Sequence, residues 1–172
     1  MLRVSIPEIK TITIMRLIAK VRFSRLWIMV LLTGLSLVSV SVLSFAAKIG
    51  DSYGGGIVFY VDNSGQHGLI AAKADVPGHS PGKLDGEFTW QDAQVVCDNL
   101  VYNGFSDWFL PDREQLNQLY QQQSVVGNFA ENYYWSSSEQ SADIAWNQNF
   151  FVSDQYKYYK KNVSQVRPIR AF

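Results

Sequence analysis

The densest group of ligand-recognising side chains lies near the C-terminus. Trp146, Asn147, Gln148 and Asn149 come first, then Tyr156, Lys157, Tyr158, Lys160 and Lys161. Flat aromatic faces beside amide donors and ammonium groups are the residue types that hold a sugar ring and its anionic substituents. The partner class they point to is a polysaccharide or glycosaminoglycan. A purely architectural reading uses the same residues: Trp146 and Phe150 fill a core, the tyrosines cover a hairpin, and the lysines protect a strand edge. On that reading the chain is a structural or protein-interaction domain of the envelope with no small ligand.

Other chemistries find little material. Only His67 and His79 are available as imidazole bases, and both sit in turn or loop sequence. No Gly-x-Ser-x-Gly occurs, so Ser136, Ser137 and Ser138 are not a nucleophile elbow. The single cysteine, Cys97, has Ala93 four residues before it and Leu100 three after it. That places it on the apolar side of a helix as a small buried hydrophobe, and the domain has no internal disulfide. Gly54-Gly55-Gly56 precedes a strand, whereas a phosphate cradle precedes a helix and carries a Lys-Ser/Thr pair. Asp75, His79, Asp85 and Glu87 fall in one loop, but their spacing matches no calcium or zinc pattern, so they read as solvated polarity. The expectation is a domain with no catalytic residue, no cofactor and no metal.

The elements that must position these side chains begin after a leader. Residues 1–46 hold six of the 15 basic residues and one of the 15 acidic ones. An apolar run from Leu26 to Leu43 follows the basic stretch, and Ser44-Phe45-Ala46 puts small residues at the −3 and −1 positions of a signal-peptidase site. Residues 1–46 therefore read as a signal peptide, with cleavage near Ala46 and a periplasmic or secreted product. The rival reading is an uncleaved hydrophobic helix over residues 26–45 that anchors the domain in the inner membrane. Met1 or Met15 is the start. Residues 47–172 are left with nine basic and fourteen acidic groups, a net of −5. A net-acidic domain is a poor general binder of nucleic acid, although it can carry one local basic patch.

Within 47–172, Ile57–Val61 and Leu69–Ala72 read as the two strands of a hairpin. Thr89 caps a helix running to about Leu100. Asp112, with Gln115 three residues on, forms a capping box for a second helix whose Leu116, Leu119 and Tyr120 share one apolar face. That helix ends within residues 121–124. Tyr133–Glu139 and the alternating Ile144–Val152 read as strands, and Val166–Phe172 as a last strand in which Pro168 marks an edge or bulge.

Four blocks of this sequence resemble one family. They are Gly54–Tyr60, Asp107-Trp108-Phe109-Leu110-Pro111, Tyr134–Glu139 with Ala145-Trp146, and Val166-Arg167-Pro168-Ile169-Arg170. Together they are similar to DUF1566, the Lcl C-terminal domain, named after a collagen-like adhesin, and the likeness covers nearly all of residues 49–172. The resemblance implies an α+β, C-type-lectin-like fold, with two helices packed on antiparallel strands and the termini close together. It also implies an exported or surface binding domain, the adhesin's own partners being sulfated glycosaminoglycans. Two positions depart from the pattern: Phe109 stands where an arginine is usual, and Gln115 where a glutamate is usual.

Overall fold

The computed structural model describes residues 46–172; the leader and anchor readings of residues 1–45 lie outside it. The two longer helices start where a side chain can satisfy the first free backbone N–H groups. Thr89 is extended (φ −65°, ψ 163°), and its hydroxyl accepts from Asp92 N at the head of α1 (Trp90–Asp98). Asp112 caps α2 (Arg113–Gln121) with a complete capping box. Gln115 N donates to Asp112 Oδ1 at 2.8 Å, and Asp112 N donates to Gln115 Oε1 at 2.9 Å. One further turn, α3 (Gln123–Val126), follows before Gly127 reverses the chain with φ 74°. α1 stops two residues short of the expected Leu100, which packs half-buried beside the core.

Nine strands pair in three antiparallel sheets among the described residues, making the fold α+β. The first sheet has the order β1-β2-β3-β9, from β1 (Ser52–Tyr53), β2 (Gly56–Val61), β3 (Gly68–Ala71) and β9 (Ile169–Ala171). β2 and β3 are the expected hairpin. Only glycine fits at Gly56, because a Cβ there would lie 2.1 Å from the carbonyl oxygen of Ala71. β9 lies at the end of the sheet, and Pro168 stands just before it, where its missing N–H costs no ladder bond. β4 (Phe88–Thr89) pairs with β8 (Val163–Ser164). β5 (Tyr133–Ser141), β6 (Ile144–Asn149) and β7 (Gln155–Tyr159) form the third sheet, with β6 central. β6 ends at Asn149, three residues before the expected Val152. Asn149 Oδ1 accepts from Phe151 N at 2.7 Å and Val152 N at 3.2 Å, which bends the strand into a turn.

Alternation along β5 divides the core. Tyr134 packs with Leu116, Leu119, Phe150 and Ile169 beneath α2, whereas its neighbour Trp135 packs with Phe88, Trp90, Cys97 and Val166 beneath α1. A third cluster joins Val58, Ile70, Trp108 and Ala47. Tyr53 and Phe172 meet edge-on with ring centroids 5.2 Å apart, so side chains near the two ends of the described chain touch across the face of the first sheet, whose outer strands are β1 and β9.

Two arginines near the C-terminus lock these layers. Arg167, fully buried, donates through Nε to Asp75 Oδ1 at 2.7 Å, through Nη1 to the carbonyls of Ala72 and Gly127, and through Nη2 to Asn128 O. Tyr134 completes the network by donating to Asp75 Oδ2 at 2.7 Å. Asp75 is thus a core partner, not the solvated loop carboxylate its sequence context predicts. Arg170 grips Asp107 through two bonds of 2.8 and 2.7 Å and donates to Gly54 O. Phe109 exchanges two backbone bonds with Ile169, and its ring joins the cluster under α2.

Candidate functional site

The side chains singled out near the C-terminus do not form one surface. β6 and β7 are antiparallel with Trp146 opposite Lys157 and Asn147 opposite Tyr156. Period-two alternation then sends neighbours to opposite faces. Trp146, Gln148, Gln155, Lys157 and Tyr159 share the α2 face. Asn147, Asn149, Tyr156 and Tyr158 share the other face with Tyr133 and Trp135 of β5.

On the α2 face, cations and rings interleave. The Trp146 indole is half-buried, with the Arg113 guanidinium carbon 3.7 Å from its centroid and Lys157 Nζ at 5.6 Å. Arg113 comes from the first turn of α2 and is fixed there: its Nε donates to Gln155 Oε1 at 2.6 Å, and Gln155 Nε2 donates back to Arg113 O at 2.9 Å. Lys161 Nζ lies 5.5 Å from the Tyr159 ring. Arg113, Lys157 and Lys161 are exposed, and none of them forms an ion pair among the described residues. Beside Lys161 a cleft of about 350 Å³ is lined by Gln91, Ala142, Asp143, Tyr159, Lys160 and Lys161.

Three of the predicted side chains are withdrawn from solvent. Lys160 is only 6% exposed: its Nζ donates to Glu139 Oε2 and to Ala142 O, 4.2 Å from the Trp90 ring centroid. It is a structural cation and adds nothing to a surface patch. Gln148 is buried between Asn117 Oδ1, Ser153 O and the amide of Gln155. Asn147 is buried and donates to Ser164 Oγ, while its Oδ1 has no partner among the described residues. Asn149 serves the turn. Arg113, which the sequence reading did not include, takes the place Lys160 was expected to fill. No local pattern announces it, since its contact residue Gln155 is 42 positions away.

The remaining polar clusters are architectural. Ser64 Oγ donates to Asp62 Oδ1 at 2.6 Å, and His67 Nδ1 lies 3.3 Å from Asp62 Oδ2, so the hydroxyl faces the carboxylate and not a base. The Ser64 hydrogen bond leads the contacts that hold the Asp62 carboxyl down at about 2. In the 73–88 loop, Asp85 accepts from Gly78 N and Glu87 from Leu84 N. No group of three or more His, Cys, Asp or Glu able to hold a metal occurs among the described residues. Burial pushes the Cys97 thiol up to about 12, far from a nucleophilic thiolate at neutral pH. The Arg170 hydrogen bonds hold Asp107 below the usual carboxylate range.

No curated protein matches this sequence. The Lcl C-terminal domain profile does match, over residues 67–170. The matched span runs from the β2–β3 turn to β9 and contains the helices α1, α2 and α3, all of the third sheet, Asp107, Arg167 and Arg170. The Gly54–Tyr60 block precedes it. More than half of the chain is matched, and the chain belongs to the Lcl C-terminal domain family.

Proposed function

We propose that this chain is an exported, non-enzymatic binding module that takes polyanionic glycans at the cell envelope, on the Trp146 face of β6 and β7. The observation that carries the reading is the row of Arg113, Lys157 and Lys161. Each cation is exposed and held over a ring, and none is paired with a carboxylate among the described residues. Guanidinium and ammonium donors of this kind bind sulfate and carboxylate groups with charge-assisted hydrogen bonds. A nucleic acid is a poorer fit, because single strands add base stacking to phosphate contacts and the Trp146 ring is already occupied by cations.

The same proposal assigns the domain to a C-type-lectin-like arrangement, which the two longer helices, the antiparallel sheets and the place of the first and last strands in one sheet support. It also takes the leader as cleaved near Ala46, with the product in the periplasm or secreted, or else as an inner-membrane anchor over residues 26–45. Ala47, one residue past the cleavage motif, is buried in the cluster with Val58, Ile70 and Trp108. A second reading, a protein-interaction domain of the envelope, has one observation in its favour: Phe151 and Val152 stand 66% and 47% exposed at the β6–β7 turn.

Retention on a heparin column tests the first reading. The variant Arg113→Gln/Lys157→Ala/Lys161→Ala should elute at markedly lower salt than the parent, whereas Lys73→Ala/Lys83→Ala should elute with it. Unchanged retention of the triple variant would sink the proposal.

A further inference from the structure

The opposite face of the same sheet carries a different surface. Tyr133, Tyr156 and Tyr158 stand side by side there, each between 37% and 40% exposed. The rings of Tyr133 and Tyr158 are nearly parallel, 13° apart with centroids at 6.4 Å. Tyr156 meets Tyr133 edge-on at 5.8 Å, and Tyr158 rests on the buried Trp135 at 5.7 Å. The cluster is therefore backed by core on one side and open on the other. Rings held this way lose little side-chain entropy when a ligand covers them.

The charge on this face is the opposite of that around Trp146. Its strand positions hold Tyr133, Trp135, Ala145, Asn147, Asn149, Tyr156 and Tyr158, none of them ionic at neutral pH, and Glu139, opposite Ala145, is an anion paired with Lys160. Lys160 reaches the same side but is held by Glu139. At the margin of the rings lies Asp154, whose carboxylate accepts from the Tyr156 hydroxyl at 3.1 Å. An anionic polymer finds no counter-charge here. A neutral saccharide does find what it needs: apolar ring faces for its C–H surface, phenol hydroxyls, and a carboxylate acceptor at the margin.

We infer that Tyr133, Tyr156 and Tyr158 form a second, independent platform that binds an uncharged saccharide by stacking. The two faces of one sheet then hold two kinds of glycan, one through charge and one through ring contact. This goes beyond the polyanion reading and does not depend on it.

An array of neutral and sulfated oligosaccharides, probed with the full-length protein at low and high salt, tests the inference. The parent should retain neutral hexose oligomers, and retention should be unaffected by salt because no ionic contact is involved. Tyr133→Ala/Tyr158→Ala should lower that retention about tenfold or more, and Tyr133→Phe/Tyr158→Phe, which keeps the rings, should preserve it. Arg113→Gln/Lys157→Ala/Lys161→Ala should leave neutral binding intact while sulfated binding falls, so failure of either site is seen separately. The inference is overturned if the parent holds no neutral oligosaccharide, if the alanine variant holds it as well as the parent does, or if the phenylalanine variant loses it equally.

Discussion

Three arginines of this domain lie over aromatic rings at almost the same distance, and one of them, Arg113, has no carboxylate partner among the described residues. Arg167 sits 3.9 Å from the Phe129 centroid, Arg170 4.0 Å from Phe105, and Arg113 3.7 Å from Trp146. The stacking is common to all three; the partners of the remaining donors differ. Arg167 and Arg170 direct theirs at Asp75, Asp107 and backbone carbonyls, so their charge is consumed in holding loops to strands. Arg113 meets a neutral amide and, among the described residues, no carboxylate. A guanidinium on a ring is therefore not by itself a binding feature. What its other nitrogens meet decides between a lock and a site. The lysines repeat the lesson: Lys160 is paired and buried, whereas Lys157 and Lys161 are exposed over rings.

Breaking a lock should cost far more than removing a free cation. Arg167→Ala leaves Asp75 and several carbonyls uncompensated in the core, at about 3–5 kcal/mol. That is a large share of a total stability of about 5–15 kcal/mol, so a collapse of the urea midpoint, or failure to fold, is expected. Lys160→Ala should cost less, about 1–2 kcal/mol, because its partner Glu139 remains half-exposed and is rehydrated when the pair is lost. At the other extreme, Lys157→Ala and Lys161→Ala should stay within about 0.5 kcal/mol of the parent, measured by the same titration. A Lys160 variant as stable as the parent would erase the distinction drawn between the paired and free lysines.

Acid should weaken the exposed ion pairs in a defined window. Asp107 is held below its ordinary value by Arg170, and Asp62 falls from 3.8 to about 2 through Ser64 and His67. A carboxylate depressed in the folded state contributes stability above its unfolded value and loses it as pH falls through the folded one. The melting temperature should therefore decline on acidification from about pH 4 to about pH 2. Arg170→Gln should remove Asp107's share of that decline and leave that of Asp62.

What the sequence made legible was local. The two caps, the face formed by Leu116 and Leu119, the β2–β3 hairpin and the burial of Cys97 all follow from neighbours within a few residues. The site was legible in composition but not in arrangement. Consecutive candidates such as Trp146 and Asn147 belong to opposite faces, a consequence of strand alternation that grouping by sequence overlooks. The locks join residues remote in the chain: Asp75 and Arg167 are 92 positions apart, and Glu139 and Lys160 are 21 apart. No periodicity encodes such pairings, which is why Asp75 read as loop polarity and Lys160 as a surface cation. Tyr133 escaped notice for the same reason, because its partners Tyr156 and Tyr158 reach it only through pairing across β6.

On the proposed reading, the unpaired cations over rings are the ones that meet a polyanion. Titrating the isotope-labelled protein with a sulfated oligosaccharide while following side-chain NMR signals tests it most directly. The Trp146 indole N–H, the Arg113 Nε–H and the Lys157 and Lys161 ammonium-adjacent carbons should shift together and return as salt is raised. The Arg167, Arg170 and Lys160 signals should stay still. Shifts centred on Lys48, Lys73 and Lys83, or on the paired residues instead, would contradict the claim.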